Sequence, residues 1–373
     1  MKKKYIILSI ITLVLLIAFV TSFNYFKITN TYIDDSFNNQ TKITKGISMN
    51  LEQTAGAGDY KTVTQSGWPT EGYKFNAELS RCENGSKISW DDTNNTVVVS
   101  GNLSDKCYVY FDIYQPTLAE YIKSQYTGTQ GDNALYYHNS TLTNGAGDNS
   151  YRYAGASDSV NNYICLGSDA ATCPDANLFR IIGVFGDQTK VIRAKSVGEK
   201  EWDTNNSNKW SSSSLNTYLN GEYLTSLGTL AEKIVTTTWK VGGGTYGNIL
   251  TPVPATAHQY EVGSSSSTTT VNKKIGLMYV SDYGFAASQE AWTTKLSSYN
   301  SNRSKNWLYL GSNEWTISRV SDDAILVFDV RSAGVVNSGD ASYSREVRPS
   351  FNLESSVKYV SGSGSMSDPV RVN

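Results

Sequence analysis

"NWLYLGSNEWTISRV" at residues 306–320, "AILVFDV" at 324–330 and "SREVRPSFNL" at 344–353 are three strand-like runs in close succession. Each is rich in β-branched and aromatic residues, and Ser, Asp and Gly separate them. The segment holds Trp307 and Trp315 and an Arg348-Pro349 pair in a proline-poor region. We read it as the closing sheet of the largest folded unit. Upstream, "NLFRIIGVF" (177–185) and "TKVIRAKSV" (189–197) flank a Gly-Asp-Gln hairpin signal. Leu215, Tyr218, Leu219, Tyr223, Leu224 and Leu227 recur at helical spacing and stop at Gly228. "KIGLMYVSDYGFAAS" (274–288) predicts a strand, a turn and a short helix. "SVKYVSGSGSMSDPVRV" (356–372) predicts a terminal hairpin. Its Gly-Ser-Gly turn precedes no helix, so no phosphate-binding loop is implied.

Before this unit, residues 46–113 predict a small all-β domain. Asn84-Gly85 and Asp91–Asn95 mark turns between short strands, and Thr96–Val99 is a β-branched run. Pro116 predicts the first position of a helix, with Leu118, Tyr121 and Ile122 on one face. Residues 127–162 are rich in Gly, Asn and Asp and read as a linker. Asp132, Asn133, Asp148, Asn149 and Asp158 are oxygen ligands a calcium ion could use. They lack the alternating spacing and closing Glu of an EF-hand loop, and such residues more often serve as turn formers.

The amino-terminal stretch predicts the compartment. Lys2, Lys3 and Lys4 precede an uncharged run from Tyr5 to Phe26. As a helix it would reach roughly 33 Å, against about 30 Å of hydrocarbon. The lysines predict a cytoplasmic amino terminus and an outward-facing remainder. The competing expectation is a cleaved signal peptide with a poor site near Val20 and Ser22. Residues 27–45 then read as a stalk. Four cysteines fall into two local pairs, Cys82 with Cys107 and Cys165 with Cys173. An oxidising exterior predicts two disulfides, and neither pair has the CxxC spacing of a zinc site.

The 373 residues suffice for two or three domains. Hydrophobic content of 39% and charged content of 18% fit a folded chain. The 25 Tyr and 8 Trp, with Ser, Thr, Asn and Gly at polar positions, suit extracellular β-rich domains. A net charge of -2 without a basic stripe argues against a nucleic-acid partner.

"CPDANLFRIIGVF", "SSLNTYLNGEYL", "SDYGFAAS", "NWLYLGSNEWTIS" and "VRPSFNLESSV…SGSGSMSDPVRV" together resemble a family of uncharacterised, membrane-anchored surface proteins of gut-dwelling Gram-positive bacteria. "YKFNAELSRCENGSKISWDD…SDKCYVYFD" is similar to the small β domain that often precedes it. The resemblance brings no activity with it. The Trp-rich strand, middle strand and Arg-Pro strand also resemble C-type-lectin-like folds. The lectin Glu-Pro-Asn motif does not occur, and no cysteine follows Cys173, which excludes formylglycine-type oxidation.

The expected fold is therefore α+β. It comprises a transmembrane helix (1–26), a stalk (27–45), a stapled β domain (46–113), a helix with a linker (114–160) and a lectin-like domain (161–373). No catalytic constellation is found. His258 reads as a solvated loop residue, Asp322-Asp323 as a turn, and no Gly-x-Ser-x-Gly elbow occurs. Glu201, Asp203, Glu314 and Asp329 are open candidates for a glycosidase carboxylate pair. The favoured reading is a surface protein that binds an extracellular glycan or protein through Trp307, Tyr309, Trp315, Tyr343, Arg345 and Arg348, aided by Arg319. Taken singly, Trp307 and Trp315 flank a strand and read first as core, and Arg348, before Pro349, reads first as the partner of a buried carboxylate. No metal or cofactor is expected, calcium being the one possibility. A structural envelope protein is the second alternative.

Overall fold

The computed structural model describes residues 46–64, 67–69, 72–102 and 104–373. The expected anchor and stalk lie outside the described residues. Among these, no helix is long and apolar enough to cross a membrane. The chain divides into two compact units that meet between Gln115 and Pro116.

In the first unit, β1 (Gly46–Glu52), β2 (Tyr60–Val63), β3 (Tyr73–Cys82) and β6 (Lys106–Ile113) form a sheet in the order β2-β1-β6-β3, with β1 and β6 parallel. A separate hairpin pairs β4 (Lys87–Asp91) with β5 (Thr96–Ser100). Alternation along β6 buries Cys107, Val109 and Phe111. Met49, Leu51, Val109 and Phe111 make a small core, closed by Trp68, Phe75 and Trp90. Cys82 sits directly opposite Cys107 across β3 and β6, and the two form a disulfide. A core this small gains from such a staple.

The second unit starts with α1 (Leu118–Ser124). Pro116, expected at the first helical position, stands before the cap Thr117: the Glu120 N–H donates to the Thr117 hydroxyl, and the Glu120 carboxylate accepts from the Thr117 N–H. The stretch expected to be a linker carries β7 (Leu135–His138) and β8 (Ser150–Tyr153), both members of a nine-stranded sheet. Its other strands are β9 (Tyr163–Cys165), β10 (Leu178–Phe185), β11 (Gln188–Arg193), β15 (Ile275–Gly276), β20 (Ser350–Leu353), β21 (Tyr359–Ser361) and β22 (Val370–Val372). A second sheet follows the order β12-β19-β16-β17-β18, from Glu199–Glu201, Ser344–Glu346, Glu314–Arg319, Leu326–Val330 and Val336–Asp340. A ribbon pairs β13 (Thr237–Lys240) with β14 (Thr270–Lys273). Two short helices matter below: α2 (Pro254–Glu261) and α3 (Val280–Phe285).

The described residues are 35% strand and 21% helical. This corrects the expected α+β class: the described fold is mostly sheet with few helices. The runs that form β10, β11, β16, β17 and β20 enter sheets, whereas Trp307–Leu310 does not, and the Leu215–Leu227 periodicity gives only short helical pieces interrupted by a π-helical turn at Leu219–Tyr223.

Candidate functional site

Sheet register brings together residues that lie far apart in the sequence. Gly183 on β10 pairs with Arg152 on β8 and with Lys190 on β11, and Lys190 pairs in turn with Asn352 on β20. Arg152, Lys190 and Asn352 thus lie in one row across the sheet. A glycine stands between the two cations. A Cβ at Gly183 would meet the Tyr151 carbonyl oxygen at 2.1 Å, so only glycine allows β8 to approach β10 here. Beside this row sits Asp282, the third residue of α3. Its Oδ1 accepts from Arg152 Nη1 at 3.3 Å and its Oδ2 from Lys190 Nζ at 2.5 Å. The Tyr279 N–H donates to the same Oδ2 at 2.9 Å.

The network continues through Asp148. Its Oδ2 accepts from Arg152 Nη2 at 2.7 Å and lies 3.2 Å from His258 Nε2, while its Oδ1 accepts from the Ser150 N–H and hydroxyl. Arg152, Lys190 and Asp282 are all buried, and Asp148 is partly open to solvent. Aromatic rings enclose the cations. Lys190 Nζ lies 4.7 Å from the Tyr279 ring and 5.5 Å from that of Trp239, and the Arg152 guanidinium lies 4.6 Å from Phe185. Glu261, at the end of α2, accepts from the Val280 and Ser281 N–H groups and from the Ser318 hydroxyl, which ties α2 to the start of α3.

Burial and charge pull the titrations in opposite directions. For Asp148 burial acts upward, but Arg152, His258 and Ser150 hold the carboxyl well below the usual range. Asp282 follows the same pattern, with Lys190 and Arg152 outweighing its burial. Burial draws the Lys190 ammonium down against the pull of Asp282. Burial, then Arg152, keeps His258 neutral below its ordinary range despite Asp148. Glu261 is raised by its burial.

Above the network opens a cavity of about 340 Å³. Phe185, Trp239 and Tyr279 supply apolar wall, Lys190 and Asp282 supply floor, and Thr238 and Lys240 are among its more exposed lining residues. A concave, aromatic-lined space with a few fixed polar groups is the usual form of a small-ligand site.

None of the six residues expected to bind a ligand lines this cavity. Trp307 is buried and donates its indole N–H to the Tyr153 carbonyl, while Trp315 is buried and donates to the Lys200 carbonyl. Arg348 is buried against Glu314, with Nε to Oε1 at 2.7 Å and Nη2 to Oε2 at 2.8 Å. Tyr309 is half-buried and donates its hydroxyl to the Ser332 carbonyl. Arg345 bonds Asp329 and lies between the Trp315 and Tyr343 rings, and Tyr343 alone of the six is exposed. Arg319, half-buried, donates to the Gly242 carbonyl. Of the open carboxylate candidates, Glu314 and Asp329 are buried and arginine-paired, and Asp203 accepts from the Ser207 and Ser214 N–H groups. Glu201 lies on β12.

His258 requires a correction: it is a buried residue of α2, not a solvated loop residue. His138 is also buried, close enough for the two rings to affect each other's charge. Among the possible calcium ligands, Asp148 is committed to the arginine network, and Asn133 and Asn149 occupy left-handed turn positions. Among the described residues no three His, Cys, Asp or Glu side chains converge as a metal site.

Sequence reasoning passed over Arg152, Lys190 and Asp282. The signal available was Lys190 itself, a lysine inside a β-branched strand run where both neighbours are apolar or buried.

Two disulfides, Cys82–Cys107 and Cys165–Cys173, are formed, and no described cysteine is free. They suggest an extracellular or secreted protein. Residues 186–355 match the model of a domain of unknown function, DUF6273. That span contains Lys190, Trp239, His258 and Asp282 but not Asp148 or Arg152. No curated protein and no solved structure matches the chain, so the resemblance to C-type-lectin-like folds has no counterpart there.

Proposed function

We propose that this protein is an extracellular recognition protein and that its ligand, a glycan or a small part of one, enters the cavity above the Arg152–Asp282–Lys190 network. The observation that carries the reading is an open, aromatic-walled space whose floor is a buried network of ion pairs. Buried ion pairs add little net stability over an apolar core, so a network that opens onto a cavity calls for another use. The aromatic wall suits the apolar face of a sugar ring, and the polar floor suits its hydroxyls. The disulfides agree with work outside the cell.

The test is a glycan array probed with the full chain, beside a variant in which Thr238, an exposed lining residue, becomes Trp. We expect saturable binding by the wild type and none by Thr238→Trp. Equal binding by both would move the site away from the cavity, and no saturable binding by the wild type would overturn glycan recognition.

A further inference from the structure

The hydrogen bonds left unused in the cavity narrow the class of ligand; this step rests on the recognition reading above. Most acceptor positions of the two lining carboxylates are taken. Asp148 receives Ser150 and Arg152 and abuts His258, and Asp282 receives Arg152, Lys190 and the Tyr279 N–H. Every carboxylate oxygen already takes at least one donor, and one further acceptor position remains on Asp282 Oδ1. The larger spare capacity lies with donors. The Lys190 ammonium carries three N–H groups, and among the described residues Asp282 is its one hydrogen-bond partner. The Tyr279 hydroxyl accepts from the Lys240 N–H and has its own proton to give.

The charges point the same way. The lining holds the cations Arg152, Lys190 and Lys240 against the carboxylates Asp148 and Asp282, so three positive charges face two negative ones. His258 stays neutral and does not alter the count. A cation with N–H groups to spare beneath an apolar wall is the setting in which a charge-assisted hydrogen bond is strongest. The Phe185, Trp239 and Tyr279 rings leave room for a ring-shaped body beside that bond.

We infer that the ligand carries a single carboxylate on a sugar ring, an acidic sugar whose carboxylate meets Lys190 on the floor and is drawn in by Lys240.

Isothermal titration of the full chain with glucuronic acid against glucose, and galacturonic acid against galactose, tests this. The acid of at least one pair should bind at least tenfold tighter than its neutral parent, and the advantage should shrink as salt is raised from 20 to 200 mM. Lys240→Glu, a partly exposed change, should cut that advantage several-fold while the melting temperature stays within a degree or two. Equal affinity for acid and neutral sugar would overturn the carboxylate and leave the recognition reading intact. An acid preference untouched by Lys240→Glu and by salt would overturn the electrostatic assignment. Failure of all four sugars together with a silent glycan array would remove both readings.

Discussion

Two buried arginine–carboxylate clusters lie in the same unit and use the same chemistry to different ends. Around Arg348, the guanidinium grips both oxygens of Glu314 and the Leu308 carbonyl, and none of the three lines the cavity. Around Arg152, the charges extend through Asp148, Asp282 and Lys190, and the chain of ion pairs ends at an open cavity with donors to spare. The Arg348 cluster is self-contained in place: its hydrogen bonds end on Glu314 and Leu308, away from the cavity. The Arg152 cluster reaches that cavity. A buried charge by itself therefore says little about function, and the balance of its hydrogen bonds says more.

The comparison can be broken by deleting the acid from each cluster. Asp282→Ala leaves Lys190 buried without its carboxylate while Arg152 keeps Asp148, and Glu314→Ala leaves Arg348 without its own; each should cost about 3–5 kcal/mol in denaturant unfolding. Replacing both members by apolar residues sharpens it. Arg348→Met with Glu314→Leu should restore stability close to wild type and leave ligand binding unchanged, whereas Lys190→Met with Asp282→Leu should fold but no longer bind. Binding that survives the second pair would erase the distinction.

A smaller effect comes from the histidines beside the Arg152 cluster. Burial, then Arg152, holds His138 well below its ordinary range. Its folded value is lower than its unfolded one, so its contribution is complete above about pH 6.5 and is lost as the pH falls below that. Wild type should lose about 1.4 kcal/mol per pH unit relative to His138→Gln in that window, read from denaturant midpoints between pH 7 and 5. Parallel curves for the two proteins would show that His138 does not titrate in the unfolded state alone. The smallest effect belongs to Tyr343, exposed beside Arg345: Tyr343→Ala should shift stability by no more than about 0.5 kcal/mol. A loss of glycan binding in that variant would return the site to the surface read from the sequence.

Much of the small β unit was legible residue by residue. Asn95 and Gly85 take left-handed conformations at the turns read there, because Asn and Gly alone tolerate them cheaply. The strand reading of residues 306–353 stands in β16, β17, β19 and β20. The core reading of Trp307 and Trp315 and the buried-carboxylate reading of Arg348 stand. Trp307 and Trp315 are conspicuous because large rings fill a core, and their indole N–H groups find carbonyls inside it. Residues 127–162 looked like a linker because turn residues surround β7 and β8, whose four-residue lengths leave almost no periodicity to read.

The sequence by itself determined the local features: where turns fall, which runs are extended, which cysteines are near enough to pair, and that the composition suits an oxidising exterior. These depend on neighbours a few residues apart, and side-chain chemistry alone decides them. Only the tertiary structure decided the cavity. Arg152, Gly183, Lys190, Asp282 and Asn352 meet because strand register aligns four strands and a helix start delivers a carboxylate beside them. Register is fixed by the burial of whole strand faces, a collective free energy that no single residue carries.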